Sequence, residues 1–147
     1  MRQILLLFLA IPVLAATGGG RVEYVGGTAG VEAGTGGLVE TQQPEAMVFT
    51  SRKATIRVPY SRINLIEYGQ NASRRLVLAV VVSPMFLLAK SRRHFLTVGF
   101  EDESGKQQAL VFRVNKSDVR ALLASLEART GLKVQFQDDE ARKAGKG

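Results

Sequence analysis

Apolar and polar residues alternate along most of this chain in runs too short for helices. Val22 to Val25 is one such run, and Leu38 to Thr41 resumes it beyond a glycine-rich stretch. Between them, Gly26-Gly27 and Gly34 to Gly37 read as turns. Ala46, Val48 and Thr50 alternate with Met47, Phe49 and Ser51, and Ile56 and Val58 flank Arg57. Both runs predict half-buried strands, with Ser51-Arg52-Lys53 as the hairpin turn joining them. Pro59 has no N–H to give to a ladder, so it predicts an edge or a bulge before Ile63, Leu65 and Ile66. Residues Gly69 to Ser73 then break that strand. Further on, Phe95 to Phe100 and Ala109 to Val114 predict a second hairpin. Its loop is Asp102 to Lys106, with Ser104-Gly105 at the turn and a positive φ expected there.

The period changes once. Val119, Leu122, Leu123 and Leu126 fall at i, i+3, i+4 and i+7, the spacing of one helical face. Ser117 suits the N-cap, Asp118 favours the positive end of the helix dipole, and Gly131 suits the position after the last turn. Leu132, Val134 and Phe136 alternate again as a short strand, and residues 138–147 read as a charged, flexible, frayed tail. The expected fold class is mainly β plus one helix. About seven short strands curl into an antiparallel, partly open barrel, which the C-terminal amphipathic helix closes at one end.

One stretch fits neither period. Residues 74–90 read "RRLVLAVVVSPMFLLAK", with 14 uncharged residues between Arg75 and Lys90. As a helix those residues reach about 21 Å, short of a hydrocarbon core of about 30 Å. Pro84 interrupts such a helix, and a single crossing would divide the strands before it from those after it. Two alternatives remain. Residues 76–89 are core strands, as the β-branched run Val80-Val81-Val82 suggests, or they form a hairpin turning at Ser83-Pro84 that dips into a lipid surface or docks on a partner.

Charge sharpens this choice. The chain carries a formal net charge of +7, yet residues 17–70 hold five bases and five acids, and residues 101–147 hold nine and eight. Residues 71–100 contain Arg74, Arg75, Lys90, Arg92 and Arg93 and no acid. The excess therefore flanks the apolar segment as a collar, whereas a nucleic-acid-binding face would spread it. A cation near an anionic leaflet is worth about 1 kcal/mol. The candidate contact residues are Arg74, Arg75, Val81, Pro84, Met85, Phe86, Leu87, Lys90, Arg92 and Arg93.

The start of the chain predicts export. Arg2 precedes the apolar run Ile4 to Leu14, and small residues follow, the pattern of a signal peptide over residues 1–16 cut near Ala15 or Ala16. Retention of that run as an N-terminal anchor is the alternative. The chain has no cysteine and one histidine, which removes disulfides, thiol chemistry and any mechanism needing two imidazoles in one chain. The glycine-rich stretch lacks the G-x-x-x-x-G-K-[ST] and G-x-G-x-x-G contexts of phosphate loops. Glu101-Asp102-Glu103 lacks calcium-loop spacing and reads as a solvated turn. No G-x-S-x-G supports a hydrolase, and the sequon Asn71-Ala72-Ser73 is discounted for a chain that reads as bacterial. His94 reads as a strand-end residue beside cations, with a pH-sensitive contact as the alternative. No cofactor, metal, nucleic acid or small-molecule substrate is expected.

The run "ATIRVPYSRINLIEYG", the hairpin "HFLTVGFEDESGKQQALVF" and the helix "KSDVRALLASLEARTG" come in an order that resembles the pleckstrin-homology-like superfold, including bacterial PH-like and GRAM-like domains. The blocks Glu67-Tyr68-Gly69-Gln70, Lys90 to Thr97 and Leu126 to Gly131 are similar to those of small exported bacterial proteins. The resemblance implies a PH-like domain over residues 17–137, interrupted by the apolar insertion 76–89 and followed by the tail, and it bears on fold more than on function. Lipid-binding PH domains place bases in the loop after the first strand. Here that loop, "GGTAGVEAG", has an acid and no base, so headgroup binding of that kind is not implied. The expected function is therefore a non-catalytic, exported binding module in the periplasm, the envelope or the medium. It associates with an anionic membrane surface or an envelope protein through residues 76–89 and the collar. The alternative is a protein-interaction scaffold in which 76–89 is core and a peptide binds beside the closing helix.

Overall fold

The computed structural model describes residues 18–70 and 94–146. The expected leader, the apolar segment with its flanking arginines and Lys90, and Gly147 lie outside the described residues. The elements run β1 (Gly19–Gly27), β2 (Thr35–Glu40), β3 (Ala46–Ser51), β4 (Thr55–Pro59), a 3-10 turn (Tyr60–Arg62) and β5 (Ile63–Gly69). After the segment come β6 (His94–Glu101), β7 (Gln107–Val114), α1 (Lys116–Thr130), β8 (Gln135–Phe136) and α2 (Asp139–Lys146).

The strands form one sheet in the order β4-β3-β2-β1-β7-β6-β5-β8. Every pairing is antiparallel except that of β8 with β5, which is parallel. The sheet curls for a reason of chain length. Only Tyr60, Ser61 and Arg62 join β4 to β5, so the two strand ends lie within about 14 Å. Laid flat, the six strand spacings between β4 and β5 would separate them by about 29 Å. The sheet bends to bring them together, yet β4 and β5 share no ladder, so it stays open. Pro59 ends β4, an edge strand, where its missing N–H leaves no gap in a ladder.

The concave face holds the core. Tyr24, Phe49 and Phe112 pack as tilted and edge-on rings with centroids 5.2–6.3 Å apart. Val39, Met47, Val58, Ile66, Leu96, Val98 and Leu110 surround them, each buried. Helix α1 lays Val119, Leu122, Leu123 and Leu126 onto this cluster. Polar bonds fix its position: Thr41 Oγ1 is 2.7 Å from Ser125 Oγ and donates to the Gly18 carbonyl, and Arg129 donates to the Gln42 carbonyl.

The mainly β fold, the second hairpin with Gly105 at φ 79°, and Gly131 at φ 73° all match expectation. The short strand expected after the helix is β8, which joins the β5 edge and brings the sheet to eight strands. Three local expectations are corrected. Gly26 and Gly27 belong to β1, and Gly36 and Gly37 to β2, not to turns. A Cβ at Gly37 would lie 2.5 Å from the Phe49 ring and from the Thr50 carbonyl oxygen, so this glycine serves close strand approach. The helix starts after Asn115, which holds the N-cap position without a side-chain capping bond while its carbonyl accepts the Val119 N–H, and Ser117 Oγ turns to Asp118. Lastly, residues 139–146 are not a frayed tail but α2, with Ala141 buried against the core and Asp138 Oδ1 accepting the Ala141 N–H at its start.

Candidate functional site

The end of the sheet where β5 stops and β6 starts is the place from which the apolar segment leaves. Gly69 pairs with Phe95, Tyr68 with Leu96, and His94 with Val114 on the other side. The side chains here form a ladder. The Tyr68 hydroxyl is 2.7 Å from His94 Nδ1, and the two rings lie parallel with centroids 5.7 Å apart. Phe136 of β8 meets Tyr68 edge-on at 6.2 Å, and the Lys146 ammonium of α2 sits 5.6 Å from the Phe136 ring centre. Tyr68 is fully buried, and loss of hydration pushes its phenol up to about 12.

β8 and the residue after it, Gln137, pack against this end. The Gln137 N–H donates to the Tyr68 carbonyl, and its side-chain amide donates to Glu67 at 2.7 Å. The Gln137 side chain also fills the space beside Gly69, where a Cβ would lie 2.0 Å from its oxygen. His94 thus begins a strand, as expected, and the structure adds its bond to Tyr68. Arg74, Arg75, Val81, Pro84, Met85, Phe86, Leu87, Lys90, Arg92 and Arg93 all lie outside the described residues.

Other sequence candidates resolve differently. The Asp102 carboxylate turns inward to its own loop, accepting from Ser104 N–H and Oγ, Lys106 N–H and Gln108 Nε2. Those bonds, led by the Ser104 hydroxyl, hold its carboxyl down at about 2. Among the described residues, no group of three or more His, Asp or Glu is placed to hold a metal ion. The glycine-rich stretch folds as a strand, a loop and a strand, with Gly34 N–H donating to the Tyr24 carbonyl. The turn after β3 brings Arg52 and Lys53 beside that loop, and Lys53 pairs with Glu32 at 2.9 Å across a cleft of about 330 Å³.

A second concavity was not placed by sequence patterning, because its walls come from elements far apart in the chain. Arg120, Leu123, Ala124 and Glu127 of α1, Val134 and Phe136, and Gly145 and Lys146 of α2 line a groove of about 430 Å³. The groove exists because Ala124 and Gly145 leave the facing helix surfaces low. Arg120 Nε donates across it to the Ala144 carbonyl at 3.2 Å, and Glu127 Oε1 accepts the Val134 N–H at 2.9 Å. No protein-family model matches the chain, and no curated protein matches it.

Proposed function

We propose that this chain is a non-catalytic, exported binding module of PH-like architecture. It associates with an anionic membrane surface, or with a component of the envelope, through residues 76–89 and their basic collar. The observation that carries this reading is the pairing of Gly69 with Phe95. The chain leaves β5 after Gly69 and enters β6 before Phe95, at paired positions of adjacent strands. An odd number of membrane crossings is incompatible with that pairing, and the 23 residues from 71 to 93 are too few for two helical spans of about 20 residues each. These limits favour a surface contact over a helical crossing of the membrane. In the sequence, Arg74 and Arg75 follow Gly69 by a few positions and Lys90, Arg92 and Arg93 precede Phe95 by a few, with no acid among residues 71–93. The eight strands and the helix that closes them come from the rest of the chain.

Flotation with phosphatidylglycerol vesicles tests the proposal. The protein is expected to float at low salt, and replacing all five collar cations by Ser is expected to weaken binding by about a hundredfold or more. A wild-type protein that stays at the bottom of the gradient at low salt sinks the membrane reading. Val81→Asp separates the alternatives: it leaves circular dichroism unchanged if the segment is peripheral and destroys folding if the segment is core. The scaffold reading is favoured by one separate observation, the groove beside α1.

A further inference from the structure

We propose that the groove between α1, residues 134–136 and α2 binds an acidic peptide segment carrying one apolar anchor residue. This narrows the scaffold reading and does not depend on membrane association. The floor is apolar: Leu123 and Val134 are buried within the fold, and the half-buried Phe136 forms one side. Its volume of about 430 Å³ lies in the range of about 300–1,000 Å³ usual for ligand sites. That suffices for one leucine or phenylalanine side chain with its backbone. The groove is also preformed. Glu127 ties α1 to Val134, and Arg120 ties α1 to Ala144, so neither wall depends on the ligand for its position.

Charge selects the partner. Arg120 is exposed and makes no ion pair among the described residues; with Nε committed to the Ala144 carbonyl, its guanidinium is anchored across the groove. Lys146, on the opposite wall, is held over the Phe136 ring and likewise has no carboxylate partner among the described residues. The one acid of the lining, Glu127, already has an oxygen engaged by the Val134 N–H. Two fixed cations over an apolar floor match a carboxylate next to an apolar side chain, and they disfavour a basic peptide.

The test uses the full chain and two fluorescein-labelled peptides, acetyl-Glu-Asp-Leu-Phe-Glu and acetyl-Lys-Lys-Leu-Phe-Lys, read by anisotropy. The acidic peptide is expected to bind at least about tenfold more tightly than the basic one. Arg120→Glu with Lys146→Glu is expected to reverse that order. Ala124→Trp keeps both cations but fills the groove, and is expected to abolish binding with an unchanged circular dichroism spectrum. Equal binding of the two peptides, no binding of either, or an unchanged preference in the double variant overturns the proposal. So does complete displacement of the acidic peptide by phosphatidylglycerol vesicles whose binding also requires Arg120 and Lys146, which would assign the groove to lipid. Loss of vesicle binding in the collar variant, with peptide binding intact, leaves this site standing by itself.

Discussion

At the scale of single residues, two neighbouring glycines separate close packing from mere permissiveness. A Cβ at Gly37 meets the Thr50 carbonyl oxygen and the Phe49 ring at 2.5 Å, whereas a Cβ at Gly36 meets nothing within 4 Å. Gly37→Ala is therefore expected to cost about 1–3 kcal/mol. Gly36→Ala is expected to be neutral, or to stabilise by up to about 1 kcal/mol through a less flexible unfolded chain. Urea denaturation of the two variants checks both signs. Two buried tyrosines form a similar contrast. Tyr68 shares its hydroxyl with His94, while the Tyr24 hydroxyl has no hydrogen-bond partner among the described residues. The Ala29 N–H is turned toward Tyr24 without reaching bonding geometry. Tyr68→Phe is expected to lose about 0.5–1.5 kcal/mol, and Tyr24→Phe to lose nothing or to gain, because it removes an unsatisfied polar group. Equal losses in the two variants would contradict this assignment.

At the scale of elements, α1 carries the closure of the curled sheet. Leu122 and Leu126 have no exposed surface. Leu122→Ala is expected to destabilise by about 2–5 kcal/mol, since the sheet beneath cannot collapse into the space. Ser117→Ala is expected to stay within about 0.5 kcal/mol of the parent, because Ser117 bonds to Asp118 and caps nothing. A loss near 1 kcal/mol, the usual value of a true N-cap, would return the cap to Ser117. The periodicity of Val119, Leu122, Leu123 and Leu126 made the helix legible from sequence, and Gly131 marked its end. The starting residue was not legible, since Asn115 and Ser117 are both good caps and only the Asn115 carbonyl to Val119 bond distinguishes them. Helix α2 was illegible for another reason. Its buried contacts are made by Ala141, Ala144 and Gly145, which give no hydrophobic signal and gain meaning only from Leu123 and Phe136 opposite.

At the scale of the whole molecule, pH response follows from where the phenols sit. All three tyrosines of the chain are shifted upward by burial. The unfolded chain gives up its phenolic protons near pH 10, ahead of the folded one, so stability is complete below pH 10 and falls as pH rises toward 12. For Tyr68 that loss amounts to about 2–3 kcal/mol. Absorbance at 295 nm is expected to show native phenolate formation only above pH 10, and to show it near 10 in denaturant; coincident titrations would refute the burial argument. Asp102 acts at the other end of the scale. Its carboxyl is held at about 2, below its ordinary 3.8, so what it contributes is present above pH 3.8 and disappears as pH falls through 2. The long pairing of β1 with β7, such as Val22 with Val114, also means that the sheet is assembled only after most of the chain has been made.

What the sequence determined alone was local: the alternation of β3 and β4, the turn at Gly105, the helical face of α1, and the concentration of basic residues around residues 76–89. Each of these is set by neighbours within a few positions, where periodicity and turn chemistry act. What only the tertiary structure decided was long-range: the strand order, the parallel addition of β8 to β5, the Tyr68–His94 pair, and the groove between α1 and α2. Their partners stand 26 residues apart at Tyr68 and His94. No local pattern encodes such a meeting, because it is fixed by a three-residue link that forces the sheet to curl and by the helix that fills its open end.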